Sequence, residues 1–335
     1  MGLLGSLFGS RPAEPLMRLF FASDLHGSDR TFRKFLAAAR HYQVQVLVMG
    51  GDVTGKIAVP IIREGADRYR AHLLGRTERI EGESELRHLL ERTETLGYYG
   101  TVMEEAEYLE ISRDPRRTEA LFFELALARL RAWMRLAEER LKGTGVKLYF
   151  MGGNDDDQAM LDAIAHEPTE NVVHCEGHAV EIGEHHTMIS EGHSTPTPWH
   201  TPREIPEETL GGLLDGLTAR LGEPRRAIFN FHVPPVESSL DTCPKLDWST
   251  DPPAQIVKNG QPVLFPAGSH AVRRSIETHQ PLLSLHGHIH ESGGVARIGR
   301  TTSINPGSEY GEGILRGCIV TLARDSVKSF QMTSG

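Results

Sequence analysis

Five short clusters of carboxylate, imidazole and amide side chains punctuate the chain: Asp24-x-His26, Gly51-Asp52, Gly153-Asn154-Asp155, His232 and Gly287-His288-x-His290. A mixed nitrogen and oxygen donor set of this kind suits manganese, iron or zinc. Residues two apart in extended backbone point the same way, so Asp24 with His26, and His288 with His290, can each aim a pair of ligands at one point. A carboxylate has two oxygens with several lone pairs, which lets Asp52 bridge two ions. Three donors for each ion plus the shared Asp52 leave room for a bridging water.

The elements that would carry these groups can be read from what precedes them. Apolar runs at 17–22, 44–49, 146–151, 227–231 and 281–285 each lead straight into one cluster. Their lack of polar alternation predicts strands buried on both faces of a layered α/β protein. The clusters then fall just past the carboxyl ends of strands, where α/β sheets build their sites. Between the first two runs, Ser28 to Arg40 has a capping residue and an apolar face of Phe32, Phe35, Leu36 and Ala39, which predicts a helix. A shorter helical pattern follows Gly268-Ser269, and residues 293–332 read as a succession of strands.

The interval from about 62 to 145 differs, with Glu and Arg interspersed and no strand leading into a ligand cluster. Asp114 and Pro115 open a long helix that closes at Lys142-Gly143, with Phe122, Ala126, Leu130, Trp133, Ala137 and Leu141 as an apolar stripe. Core packing explains such a stripe, and a homo-oligomer interface is the sharper alternative. The interval is expected to be a mainly helical insertion with a solvated, ion-paired surface.

Composition sets outer limits. The 335 residues are 39% hydrophobic and 24% charged, with a net charge of −9. No global positive field exists to hold a polyanion, so no nucleic-acid partner is expected. Cys175, Cys243 and Cys318 are odd in number and show no paired spacing, which fits a reducing cytosol. Met1 to Gly9 is too short to span a bilayer and lacks the basic start of a signal peptide. Gly2 and Ser6 formally fit a myristoylation pattern, but a flexible tail over 1–16 is the simpler reading.

The order D-x-H, G-D, G-N-x-[D/E], H, G-H-x-H resembles the calcineurin-like metallophosphoesterase superfamily, every block in sequence from Asp24 to His290. The segments LHGHIHES at 285–292, Gly97-Tyr98-Tyr99 and Asn305-Pro306-Gly307-Ser308 look like its branch of predicted phosphoesterases related to cyclic-nucleotide phosphodiesterases. The resemblance implies a four-layer α/β/β/α sandwich over 17–335 with a dinuclear metal site on top. It assigns Asp24, His26, Asp52 and His290 to one metal, and Asp52, Asn154, His232 and His288 to the other. One position departs: the family places a leaving-group histidine after the Asn, and here stands Asp155, followed by Asp156 and Asp157. Near two cations its pKa should fall, which disfavours it as an acid. Asp155 remains the one catalytic candidate; its alternatives are to orient a metal ligand, or to belong with Asp156 and Asp157 to an acidic turn capping the next helix.

The activity implied is hydrolysis of a small, nucleotide-like or other phosphate ester, with two divalent transition ions (manganese or iron, with zinc also fitting) and a bridging hydroxide as nucleophile. A nuclease of the same superfamily and a catalytically silent scaffold are the alternatives. The acidic charge weakens the first, and the intact ligand set weakens the second. His286 is expected to point into the core. His174, His178, His185 and His186 match no block. The stiff loop HSTPTPWHTP at 193–202 either covers the site or is an ordinary surface connection.

Overall fold

The computed structural model describes residues 16–167, 169–250 and 253–335. Except for Leu16, the expected tail over 1–16, with its myristoylation pattern, lies outside the described residues. Each apolar run forms a strand: β1 (Met17–Ala22), β2 (Val46–Gly50), β7 (Lys147–Met151), β11 (Ile228–Phe231) and β18 (Leu283–Leu285). These divide between two six-stranded mixed sheets. In the first, β1, β2, β7 and β8 (Val172–His174) run parallel, and β21 (Arg316–Ala323) and β22 (Ser326–Ser334) add antiparallel at one edge. In the second, β10 (His186–Glu191), β11, β18 and β20 (Thr301–Asn305) run parallel, with antiparallel edges β9 (Ala179–Ile182) and β19 (Gly294–Ile298).

The period-2 geometry of these strands sorts their side chains into separate apolar clusters. Leu19, Phe21, Val46, Val48 and Met151 meet Met188, Ile228, Leu283, Leu285 and Ile304 in one cluster shared by both sheets. The alternate residues Phe20, Leu47, Met49 and Phe150 join Phe32 and Phe35 of α1 (Asp29–His41) and Trp133 and Ala137 of α4 (Pro115–Leu141). On the second sheet, Phe229 and Phe231 join Leu210 and Leu214 of α6 (Glu207–Thr218) and Val272 and Ile276 of α7 (His270–His279). Burial on both faces is why the runs carry no polar alternation.

The long helix is as read: Asp114 accepts from the Arg116 backbone at 3.0 Å, and twenty-seven residues follow. Most of its stripe packs in the core, with the Trp133 ring stacked 4.2 Å from Phe32. Ser28 precedes α1, but its hydroxyl makes no cap and instead donates to the Thr95 carbonyl at 2.7 Å.

The region 62–145 is mainly helical, and it also contains strands. Besides α2 (Gly82–Thr95), α3 (Glu105–Ser112) and α4, the region holds a four-stranded sheet of order β5-β4-β3-β6, built from β3 (Ala58–Arg63), β4 (Arg68–Leu73), β5 (Arg76–Glu81) and β6 (Tyr99–Glu104). Its inner face is Val59, Ile61, Tyr69, Ala71, Leu73 and Ile80. The opposite face is charged on β4 and β5, with Arg68, Arg70, Arg79 and Glu81, and buried on β3 and β6, with Ile62, Tyr99 and Met103. A second irregular region, 242–266, is a set of small hairpins pairing β12 (Thr242–Pro244) with β17 (Leu264–Pro266), β13 (Leu246–Asp247) with β14 (Ala254–Gln255), and β15 (Val257–Lys258) with β16 (Gln261–Pro262). Among the described residues, no helix is long and apolar enough to cross a membrane.

Candidate metal centre

Backbone hydrogen bonds bring the ligand loops together before any side chain acts. Past β1, the amides of Asp24, His26 and Gly27 donate to the carbonyls of Gly51, Asp52 and Val53 at 2.8–3.0 Å, fastening the first two loops edge to edge. The Gly287 amide donates to the His232 carbonyl at 2.9 Å, and the Asp155 amide donates to Asp52 Oδ1 at 2.9 Å. Asp24, His26, Asp52 and His288 all sit at positive φ, between 41° and 67°. Side chains in that region cost free energy, and such residues concentrate at functional sites. Gly287 and Gly153 allow the close approach: a Cβ on Gly287 would collide with Ser23 and Asp24, and one on Gly153 with Asp52.

The seven side chains converge. His26 Nε2 lies 3.2 Å from His290 Nε2 and 3.6 Å from Asp52 Oδ2. Asp24 Oδ1 lies 3.4 Å from His290 Nε2 and 3.9 Å from His232 Nε2, which is itself 3.4 Å from Asp52 Oδ2. On the far side, His288 Nδ1 meets Asn154 Oδ1 at 2.6 Å. Three overlapping donor groups result, Asp24-His26-His290, Asp24-Asp52-His232 and His26-Asp52-Asp155, each with spacing that could hold an ion. Asp24, His26, Asp52, Asn154 and His232 are buried.

The chemistry of these donors fits a metal. His232 Nδ1 is 2.8 Å from the Gly50 carbonyl, to which it donates, so that Nε2 is the ring atom left for a proton or an ion beside Asp52. That Nε2 is buried without a hydrogen-bond partner, as is Nδ1 of His26. Buried polar atoms are seldom left unpaired, and an ion supplies the missing partner. Burial pushes His26 and His288 down to about 3 and about 4, which keeps them neutral and able to coordinate. Burial also works against charge on His232, yet Asp52 and Asp24 outweigh it and carry its pKa up to about 10. The pocket field draws positive charge, a proton or a metal ion alike.

Around this group stand residues that motif reading did not find. Lys56, whose side chain is about half exposed, forms an ion pair with Asp155. Burial and the charge of Asp52 push the Asp155 carboxyl up to about 7 against the opposing pull of Lys56. Asp155 Oδ2 lies 3.7 Å from His26 Nδ1, so the pair borders the ligand cluster. Tyr310 covers His26 with ring centroids 4.6 Å apart. Of the three aspartates, Asp157 caps α5 (Gln158–Ala165) by accepting from the Ala159 amide at 2.7 Å. Asp156 is fully buried and accepts from the Val53, Thr54 and Gly153 amides and the Thr54 hydroxyl, bolting the second loop to the third.

Support also comes from farther along the chain. Asn305 donates to the carbonyls of Leu240, Gly287 and Ile289, and the Ser308 hydroxyl donates to the Asp24 carbonyl at 2.7 Å. His286 lies in the core, with Nδ1 2.8 Å from the Phe231 carbonyl and Nε2 2.6 Å from the Ser284 hydroxyl. A separate group, Glu176, Glu191 and His193, has metal-like spacing. The buried Arg203 guanidinium, however, pairs with Glu176 and donates to the Gly153 carbonyl, which makes this group a brace for the third loop. The loop at 193–204 reaches the site through Thr201, whose hydroxyl accepts from Asn154 Nδ2 at 2.9 Å.

No protein-family model and no curated protein matches this chain. Solved structures do. One shows 15% identity over 95% of this chain and 99% of its own, with a TM-score of 0.55. A protein of Thermus thermophilus follows at 14% identity, covering 96% and 99%, with a TM-score of 0.48. An archaeal phosphodiesterase shows 11% identity, covering 95% and 100%, with a TM-score of 0.36. At these identities the likeness speaks of fold, and only the first is close enough to carry that weight. Taken with the five blocks in order, the chain resembles the calcineurin-like metallophosphoesterases.

Proposed function

We propose that this chain is a dinuclear-metal-dependent phosphoester hydrolase, a phosphodiesterase acting on small nucleotide-like esters. We read its two sheets and flanking helices as the α/β/β/α layers of that family. Asp24, His26, Asp52 and His290 would hold one ion, and Asp52, Asn154, His232 and His288 the other. The observation that carries the reading is the convergence of these side chains from five separate loops, with His232 Nε2 buried and unpartnered among them. Manganese or iron there, with zinc as a further candidate, would polarise phosphoryl oxygens and lower the pKa of water enough to give a nucleophile at neutral pH.

The chain's own groups do the rest. The Gly50 carbonyl and the Asp24–His288 amide contact fix ligand orientation, and burial keeps bulk water from the donors. Beside them, the Lys56 ammonium, held by Asp155, offers positive charge to a departing oxygen without giving up a proton. Leaving groups that tolerate negative charge therefore suit the site best. The net charge of −9 favours small esters over nucleic acid. Buried free Cys175 and Cys318 are in keeping with a reducing, cytoplasmic setting.

The test is metal analysis of protein purified without chelator, followed by a panel of cyclic nucleotides, aryl phosphodiesters, nucleotide pyrophosphates and single-stranded DNA. Up to two transition ions per chain and preference for the aryl diester are expected. Protein that takes up no metal even from manganese solution overturns the reading.

A further inference from the structure

The chain has three tryptophans, and they are used in opposite ways. Trp133 is core, 2% exposed and stacked on Phe32. Trp199 and Trp248 face solvent, 62% and 46% exposed, yet they lie against each other with ring centroids 5.1 Å apart and planes at 73°. Two large apolar rings held together in water contribute little to a core, and exposed aromatic surface of this kind marks binding.

The two indoles come from different segments, and both segments are tied to the metal centre. Trp199 stands two residues before Thr201, whose hydroxyl accepts from Asn154, and two residues span at most about 7 Å. The Arg203 amide donates to the Asn154 carbonyl at 3.0 Å, fixing the same loop a second time. Within the loop, the Trp199 amide donates to the Thr197 hydroxyl, which donates in turn to Glu204. Trp248 follows β13 in the hairpin region, whose first strand accepts at the Thr242 carbonyl from Ser292, two residues past His290. The metal-ligand loops thus carry an aromatic pair at their border.

We propose that Trp199 and Trp248 form a subsite for the planar ring of the substrate, the base of a nucleotide whose phosphate lies at the metal centre. The proposal rests on the phosphoester reading above. A ring in the notch between perpendicular indoles stacks on one face and meets the edge of the other, both favoured aromatic arrangements. Stacking needs no particular hydrogen-bonding edge, so the subsite accepts different bases.

The probes are AMP and ribose 5-phosphate, which share a sugar phosphate and differ in the base, titrated into manganese-loaded full-length protein by calorimetry and tryptophan fluorescence. Trp133 is shielded, so a fluorescence change reports the exposed pair. AMP should bind about tenfold tighter than ribose 5-phosphate and alter the emission. Trp199→Ala and Trp248→Ala should each erode that preference, weakening AMP far more than ribose 5-phosphate, and Trp199→Phe should restore most of it. Equal binding of the two probes, no binding of either, or a preference untouched by both alanine variants overturns the proposal. If no phosphate ester is hydrolysed but AMP still binds through the indoles, the hydrolase reading falls and the aromatic subsite stands.

Discussion

The rim of the two large sheets and the small sheet at 58–104 obey opposite rules. At the rim, Asp24, Asp52, Asp156 and His232 are buried, and four of the proposed ligands, Asp24, His26, Asp52 and His288, adopt left-handed backbone. In the small sheet, the inner face is apolar apart from Glu78, whose charge Arg92 of α2 meets, and β4 turns Arg68 and Arg70 to the opposite face. Burying charge is costly unless partners repay it, so the rim is shaped by what it binds and the small sheet by what it packs against. The two nonetheless touch. The Tyr99 hydroxyl accepts from the Gly55 amide at 2.7 Å, and Ser28 donates to Thr95. The small sheet and its helices act as a buttress for the first two ligand loops.

If that contrast holds, substitutions should separate into effects on chemistry and effects on stability. Asp52→Asn removes the shared carboxylate charge and should cut hydrolysis of bis-p-nitrophenyl phosphate by well over the roughly 100-fold seen when residues supporting a ligand are lost. Metal content measured on the same sample should fall with it, and near wild-type turnover would refute the bridging assignment. Asp156→Ala orphans several buried donors between loops, with an expected loss of about 3 kcal/mol in urea unfolding. Its melting curve, compared with and without manganese, should show part of the loss recovered by metal.

Asp155→His replaces the partner of Lys56 with the residue that relatives are expected to carry. Activity on alkyl diesters should rise about tenfold relative to aryl diesters. An equal change on both would mean that leaving-group stabilisation is not what this position does. The smallest effect belongs to the small sheet. Glu78→Gln breaks a partly exposed ion pair away from the metal centre and should cost about 1 kcal/mol or less with no change in turnover. Its hydrogen bond to Arg92 lowers the Glu78 pKa, so the contribution is present above about pH 4.5 and fades as pH falls through the depressed value. Wild type and variant should therefore converge in stability in acid, and a gap that widens there would contradict the sign.

Much of the centre is legible because each ligand cluster ends a strand buried on both faces, and such strands announce themselves as unbroken apolar runs. Asp24, His26, Asp52, Asn154, Asp155, His232, His288 and His290 could be gathered on that ground, and the family resemblance then picked the seven proposed ligands among them. Lys56 could not, since a lysine four residues past Asp52 looks like any loop lysine until Asp155 is beside it in space. Tyr310 reaches His26 across almost the whole chain, and no local pattern encodes that distance. The small sheet did leave a trace. Tyr69, Ala71 and Leu73 alternate with Arg68, Arg70 and His72, and Leu74-Gly75 at positive φ makes the turn. An Arg- and Glu-rich surface drew attention to helices instead.

The left-handed backbone at Asp24, His26, Asp52 and His288 sets a trap for anyone improving this protein. Side chains there cost about 1 kcal/mol each, and glycine would relieve it. At His26 and His288, whose rings accept from no backbone amide among the described residues, a selection scored on the melting temperature of metal-free protein alone would therefore favour glycine and return a hardier molecule with fewer groups to hold an ion.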